Sequence, residues 1–391
     1  MPNRSAEPVT PVEAFDRRRL FSSVAVIAAA AIFGLTYGLS APLIAVDLAA
    51  RGAGESLIGL NAAMHAVGVL SIALFLPRLA VRFGAQRLIV AALILSTLTL
   101  LAFPQVPGIA FWFPLRLLLG VAAETLFVLT ETWTNDLSLA HLRGRMMAVY
   151  TASLSLGFAG GPAILSVVGS NRSAYWIGAA IAAIAIVPLL NPRLLPPQPM
   201  RISTTKPLQY FRLAPIAIAT TLLNAAVETA GLSFIALYAT GMGWSEQQGL
   251  RLVSTLMIGA IVLQLPIGWL ADRVNPRRLA LLLAMLSAVG ALAWPWMLGQ
   301  TWLAFTLVFV WGGLFVGIYT VMLSIVGSRF SGGDLIGIYA VMSIAWGGGA
   351  LIGPSIVGIA MQRSPTYGLP YAIAAGCALF ALFMATRRSA T

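Results

Sequence analysis

Phe21 to Val46 reads FSSVAVIAAAAIFGLTYGLSAPLIAV, a run of 26 residues without a charge. A helix rises about 1.5 Å per residue, so about 20 apolar residues cross the hydrocarbon core of a bilayer. The run follows Arg17, Arg18 and Arg19, a basic start that a secretory signal would share. A cleaved signal has an apolar core of only about 7–15 residues, so the length predicts a first transmembrane helix instead.

Outward from that stretch the same pattern recurs. Apolar continuity, broken by charges and Gly/Pro clusters, predicts spans at 21–46, 57–80, 88–106, 109–135, 146–169, 174–191, 213–240, 250–271, 279–298, 301–327, 335–361 and 368–386. Twelve spans in 391 residues average about 33 residues each with connections, which leaves no room for a separate soluble domain. Composition agrees: the chain is 59% hydrophobic and 9% charged, with a mean hydropathy of +0.90. Soluble domains carry roughly 25% charged residues, and disorder requires low hydrophobicity. A transmembrane β-barrel would alternate apolar and polar residues, and these runs are unbroken. The expected fold is an all-α membrane protein of 12 helices.

Charge placement orients the helices. The net charge is +12, but the basic residues fall between apolar runs and form no nucleic-acid-binding face. With the N-terminus inside, 19 of the 24 basic residues lie on the cytoplasmic side and 4 outside, Arg116 alone lying within a span. The positive-inside rule then puts both termini in the cytoplasm. Cys377 is the single cysteine; it excludes an intramolecular disulfide and any cysteine-based metal cluster.

The longest polar connection, rich in proline and basic residues, follows the sixth span and divides the chain. Residues 1–20 form a leader containing Pro2, Pro8 and Pro11, 21–191 a first six-helix half, 192–212 a cytoplasmic linker and 213–391 a second half. The halves repeat weakly. Pro77 to Arg87 (PRLAVRFGAQR) aligns with Gly268 to Arg278 (GWLADRVNPRR) at an offset of 191, and Gly157 to Pro162 with Gly349 to Pro354 at 192. Two parallel six-helix repeats are a transporter signature.

At these residues the chain resembles the major facilitator superfamily. Gly268-x-x-x-Asp272-Arg273 with Arg277 and Arg278 is similar to that family's loop motif, here in the second half. The first-half loop keeps Arg82, Gly84 and Arg87 but has Val81 where the family usually carries Asp. Arg116-x-x-x-Gly120 and Gly157-x-x-x-Gly161-Pro162 resemble two further family motifs, the latter often seen in exporters. Glu131-Thr-Trp133-x-Asn135-Asp136 and Arg143-Gly-Arg145 resemble the YcaD-type bacterial subgroup. The resemblance implies two pseudo-symmetric six-helix bundles, a multi-pass protein of the bacterial inner membrane, a monomer, and a central cavity lined by the first, fourth, seventh and tenth helices.

Charge inside a span is the most informative feature. An ionisable group near the bilayer centre costs at least roughly 2.5–3.5 kcal/mol, so it faces a cavity or a partner. Glu124 and Glu228 fall near mid-depth, and the resemblance puts them on opposite cavity walls. Burial raises a carboxyl pKa, and alternation between wet and dry settings makes such a group load and release protons. Glu228, Glu124 and Arg116 are therefore the proton-coupling candidates, Glu228 first because no basic residue neighbours it on its helix. Structural hydrogen bonding across helices is the plainer role for each. Glu131, close to the inner surface, is expected to pair with Arg143 or Arg145.

Asn61 and His65 share a helix face at four-residue spacing; either a helix–helix hydrogen bond or a proton relay fits them. Tyr37, Asn224, Trp311, Tyr319 and Trp346 are candidates to line a substrate cavity, although aromatic residues on membrane helices also serve as packing and interface residues. Trp294 and Trp296 look like interfacial anchors. Gly157, Gly161, Pro162, Gly353 and Pro354 fit close helix contacts, with gating as the second reading. Arg82, Gly84, Arg87, Asp272, Arg273, Arg277 and Arg278 are read as a charge latch between halves, against a plain positive-inside signal.

Together these point to a secondary active transporter of a small solute working by alternating access, coupled to protons, with export favoured over import. The mid-depth acids suit a cationic or zwitterionic substrate, or a neutral one exchanged for protons. An uncoupled facilitator is the alternative, and a non-transporting receptor a remoter one. No cofactor or metal is expected. There is no Walker sequence, no His-Glu-x-x-His and no Gly-x-Ser-x-Gly, so neither ATP hydrolysis nor embedded-enzyme chemistry has its parts.

Overall fold

The computed structural model describes residues 17–139, 142–197, 214–330 and 332–386. The expected leader up to residue 16, most of the linker and the terminal Arg387 and Arg388 lie outside these. The described residues form helices and no strand. Twelve principal helices run as α1 Arg17–Ala50, α2 Glu55–Ala73, α3 Ala85–Ala102, α4 Trp112–Leu137, α5 Arg143–Val168 and α6 Arg172–Ile184 in the first half. The second half has α7 Pro215–Gly241, α8 Glu246–Ala271, α9 Pro276–Leu292, α10 Thr301–Arg329, α11 Gly332–Arg363 and α12 Gly368–Thr386. Among the described residues, eleven helices are long and apolar enough to cross a membrane. The remaining one, α9, has 17 residues and stops before Pro295, where a short helix, Trp294–Met297, takes over.

Two further expected spans are broken. The run 57–80 is not one helix: α2 ends at Ala73, and a separate helix, Leu76–Phe83, starts around Pro77. Proline lacks an N–H and fits only a first helical turn, so Pro77 ends α2 although the residues around it stay apolar. Likewise α6 ends at Ile184 and a short turn, Ile186–Leu189, carries Pro188. Gly84, with φ +83°, closes Leu76–Phe83 and opens α3. Side chains set other starts: Asn171 caps α6, Ser245 and Gln248 form a capping box on α8, and Asn275 caps α9 ahead of Pro276.

Within each half the same pairs pack: α1 on α5 and α2 on α4, then α7 on α11 and α8 on α10. Between halves, α2 packs on α11, α5 on α8 and α1 on α7. The near face is taken below as the one where α1 begins and α12 ends, and the far face as the one where α1 ends.

The start of the linker is tied to the first half at the near face. Trp133 Nε1 donates to Leu195 O at 3.1 Å, Leu195 N to Ser22 Oγ at 2.9 Å, and Arg18 Nε to Arg193 O at 2.6 Å. Trp133 is completely buried. Trp133→Phe keeps an aromatic ring and removes the indole donor. It is expected to lower the apparent melting temperature by a few degrees, since one hydrogen bond is worth about 1 kcal/mol, and to speed proteolysis after Arg193. Unchanged cleavage would show that the bond does not hold the strap.

Candidate functional site

Glu228 lies midway along α7, thirteen residues from each end. Its carboxylate accepts a hydrogen bond from Asn224 Nδ2 at 3.2 Å, one helical turn earlier. It forms no ion pair among the described residues, and it is half-buried rather than sealed. The phenols of Tyr37 on α1 and Tyr319 on α10 lie within its electrostatic reach. Tyr319 also feels Glu131 on α4, and Glu131 acts on Glu124 seven residues before it on the same helix face. Side chains from α1, α4, α7 and α10 thus share one electrostatic environment, acidic on two walls. The expected pairing of Glu131 with Arg143 or Arg145 does not form; both arginines are exposed, and Glu131 is only partly buried.

A second cluster lies nearer the far face. Arg116, one turn into α4, is 2% exposed, and its Nε and Nη1 have no hydrogen-bond partner. Asn61 (1% exposed) and His65 (4%) on α2 are buried beside it, with Asn61 Nδ2 and His65 Nδ1 also unpartnered. Arg116 is in electrostatic reach of His65, Tyr37 and Tyr175. Tyr37 packs on the His65 ring at 4.7 Å between centroids and edge-on against Phe158 at 5.6 Å. A narrow crevice, with no room for a water molecule in this conformation, joins Arg116 and Asn61 to Ala41, Ile44, Ala45 and Leu48 of α1, and to Ser233 of α7.

Gly120 positions this cluster. A Cβ there would overlap the backbone carbonyl of His65, so only glycine lets α4 come this close to α2. The Arg116-x-x-x-Gly120 spacing therefore sets the guanidinium one turn from the point where the two backbones touch.

Other candidates are placed differently. Trp311 is buried inside the second half; its Nε1 donates to Ser287 O on α9 at 2.8 Å, and its ring stacks on Phe315. It does not reach the space between halves. Trp294 is buried against Trp311 and Tyr238 rather than at an interface, whereas Trp296 is exposed. Trp346 packs half-buried against a cluster of Ala66, Ala225 and Ala350. Gly157 and Gly161 touch the backbone of α1, and Gly349 and Gly353 that of α7, so these contacts lie within each half. Pro354 differs: its carbonyl meets Gly59 of α2 across the halves.

At the loops, Arg273 stacks over Trp269 at 3.6 Å and Arg82 over Phe83 at 5.2 Å. Arg277 Nη2 donates to Met384 O at 2.8 Å, and Arg278 N to Asn275 Oδ1 at 3.1 Å. Asp272 is exposed and makes no ion pair among the described residues, and Arg87 is exposed at the start of α3. Gly84 supplies only its positive φ.

The sequence reading missed the far face. Among the described residues two hydrogen bonds join the halves there: Ser170 N donates to Glu246 Oε1 at 2.8 Å, and Ser56 N to Gln362 Oε1 at 3.3 Å. Beside them Asp47 pairs with Arg51 at 3.0 Å and accepts from Tyr175 Oη at 3.1 Å, while Arg51 sits over Trp112. The i, i+4 spacing of Asp47 and Arg51 was the available signal. Glu246→Ala removes one of the two bridges. It is expected to widen the far face, read as faster thiol labelling of a cysteine placed at Ser233; unchanged labelling would show that the bridge does not gate.

Two six-helix bundles of like packing, with ionisable groups facing the space between them, define a polytopic transport protein. The family model described as Major Facilitator Superfamily matches residues 26–354 and 218–390. The chain belongs to that superfamily. Its relatives include the uncharacterized MFS-type transporter YfkF of Bacillus subtilis, 27% identical over 265 residues (66% of this chain, 68% of YfkF). YcaD of Escherichia fergusonii, another uncharacterized MFS-type transporter, is 26% identical over 312 residues (78% of this chain, 80% of YcaD). Among solved structures, a point mutant of the nucleoside transporter NupG superposes with a TM-score of 0.79 at 14% identity, covering 93% of this chain and 99% of NupG. A D-xylose–proton symporter gives 0.76 at 14%, covering 94% and 97%. At that identity the likeness is one of fold. The chain is a multi-pass membrane transporter of the secondary kind, not an enzyme.

Proposed function

We propose that this transporter exchanges protons for a small solute across a bacterial inner membrane, with its near face in the cytoplasm, and that it works as an exporter. The observation that carries the reading is Glu228: a mid-membrane carboxylate with one neutral hydrogen-bond partner, Asn224, and no ion-paired cation among the described residues. The groups facing it from other helices are phenols, Tyr37 and Tyr319. A charge left that way is costly in a membrane, so a proton or a cationic group neutralises it at some point in the cycle. Glu124 and Glu131 on the facing helix supply further proton acceptors. The 19 to 4 division of basic residues supports the orientation, and the Gly157 to Pro162 motif supports export. In that orientation the bridged far face is the periplasmic side, and the described conformation is closed there by the bonds of Ser170 and Ser56.

Reconstitution into liposomes tests this. A substrate identified by thermal shift at pH 5.5 and 7.5 should move against its own gradient when a pH gradient is imposed. Equilibration without accumulation would instead favour the uncoupled facilitator.

A further inference from the structure

The two halves are built on one skeleton at a sequence offset of 191 to 192, and the skeleton provides an internal control. Gly120 of α4 meets the carbonyl of His65; its counterpart, Gly312 of α10, meets the carbonyl of Leu256, the counterpart of His65. Gly68 meets Leu117 of α4, and its counterpart Gly259 meets Phe309 of α10. The crevice beside Arg116 has its counterpart too. Ile44, Leu48, Asn61 and Arg116 line the first; Ile235, Ala239, Leu252 and Val308, at the same offset, line the second.

The second crevice is lined by apolar side chains, one tyrosine and Trp294, whose Nε1 is unpartnered. At the positions equivalent to Asn61, His65 and Arg116 the second half carries Leu252, Leu256 and Val308, all buried. This packing therefore needs no polar group where the first half carries Asn61, His65 and Arg116. Yet the first half buries a guanidinium with two unpartnered nitrogens, beside an unpartnered amide and an unpartnered imidazole nitrogen. Buried charge is retained at a cost unless something pairs with it. Three of those four atoms are nitrogen donors: the two guanidinium positions and the Asn61 amide. They are donors, the complement of the acceptor oxygens of a carboxylate.

We propose that Arg116 and Asn61, with His65 beside them, form a subsite for the carboxylate of the transported solute, and that Glu228 holds its ammonium group. The substrate class is then a small zwitterion. Tyr37 packs on the His65 ring, and α7, the helix that carries Glu228, contributes Ser233 to the crevice beside Arg116 and Asn61, so the two poles flank one space. Glu228 holds either a proton or the ammonium, which makes the exchange obligatory. This assignment rests on the transport reading above and moves Arg116 from proton handling to substrate binding.

Two measurements on the detergent-purified full chain test it. The triple variant Asn61→Leu, His65→Leu and Arg116→Val installs the second half's residues in the first. Its melting temperature should equal or exceed that of the wild type, because apolar replacement of a buried charge cluster is neutral to stabilising. A drop of more than about 5 °C would make the trio structural and overturn the proposal. The second measurement is a thermal-shift panel of the twenty free L-amino acids, each beside its carboxamide and its N-acetyl derivative. At least one free amino acid should stabilise the wild type. Its carboxamide should not, and Arg116→Gln should weaken its binding at least about thirtyfold. If carboxamides bind as well as free amino acids, or the Arg116→Gln variant binds them equally, the carboxylate subsite is wrong while a transporter of cationic solutes stands. If no compound bearing a carboxylate stabilises the wild type, the subsite is likewise refuted, whatever the liposome exchange shows.

Discussion

Glu228→Gln should abolish proton-driven accumulation in a protein that still folds. Glutamine keeps the shape and the hydrogen bond with Asn224 but cannot gain or lose a proton. It therefore fixes the site in the state the wild type reaches only when protonated. Transport by the variant should be flat with pH where the wild type's is not, and accumulation, which in the wild type is bounded by the imposed proton ratio, should vanish. The measurement is solute uptake into liposomes with and without a pH gradient. Accumulation that survives with its pH dependence intact would remove Glu228 from the coupling role and turn attention to Glu124 and Glu131.

The second large effect concerns packing. Gly120→Ala and Gly312→Ala place the same methyl group against equivalent carbonyls, those of His65 and Leu256. Each forces two helices apart, and overpacking of this kind costs about 1–3 kcal/mol. Both variants should therefore lose similar stability in thermal melts. Their transport should differ. Moving α2 from α4 displaces Asn61 and His65 relative to Arg116, whereas moving α8 from α10 displaces only Leu252 and Leu256 relative to Val308. Gly120→Ala should lose solute binding, and Gly312→Ala should retain it. Equal losses would mean that the first half's polar cluster has no special role.

Much of the fold was written in apolar continuity, because a membrane helix must satisfy its backbone internally and bury no charge cheaply. The breaks were harder. At Pro77 the residues stay apolar through the interruption, so hydropathy passes over a change that one missing N–H imposes. The mid-depth position of Glu228 was legible from its place in the run, since depth scales with residue count. The direction of an aromatic side chain was not: Trp311 and Tyr319 are eight residues apart on α10, yet one packs inside its half and the other reaches the shared acids. Such a difference is set by the neighbouring helices. The glycine pairs were partly legible. Gly157 and Gly349 stood out because proline follows each motif, while Gly68, Gly120, Gly259 and Gly312 gain meaning only from the carbonyl each one meets.

The far-face bridges have one more consequence. In both, the first half contributes a main-chain N–H, of Ser56 and Ser170, and the second contributes a side-chain oxygen, of Gln362 and Glu246. The first half's share is thus written in no particular amino acid; every residue except proline offers it. Positions 56 and 170 are free to drift while the closure persists, and the heritable instruction for it resides in two residues of the other half. A change at 246 or 362 would retune the balance between conformations without any matching change across the interface, so a single substitution suffices where a side-chain pair would need two.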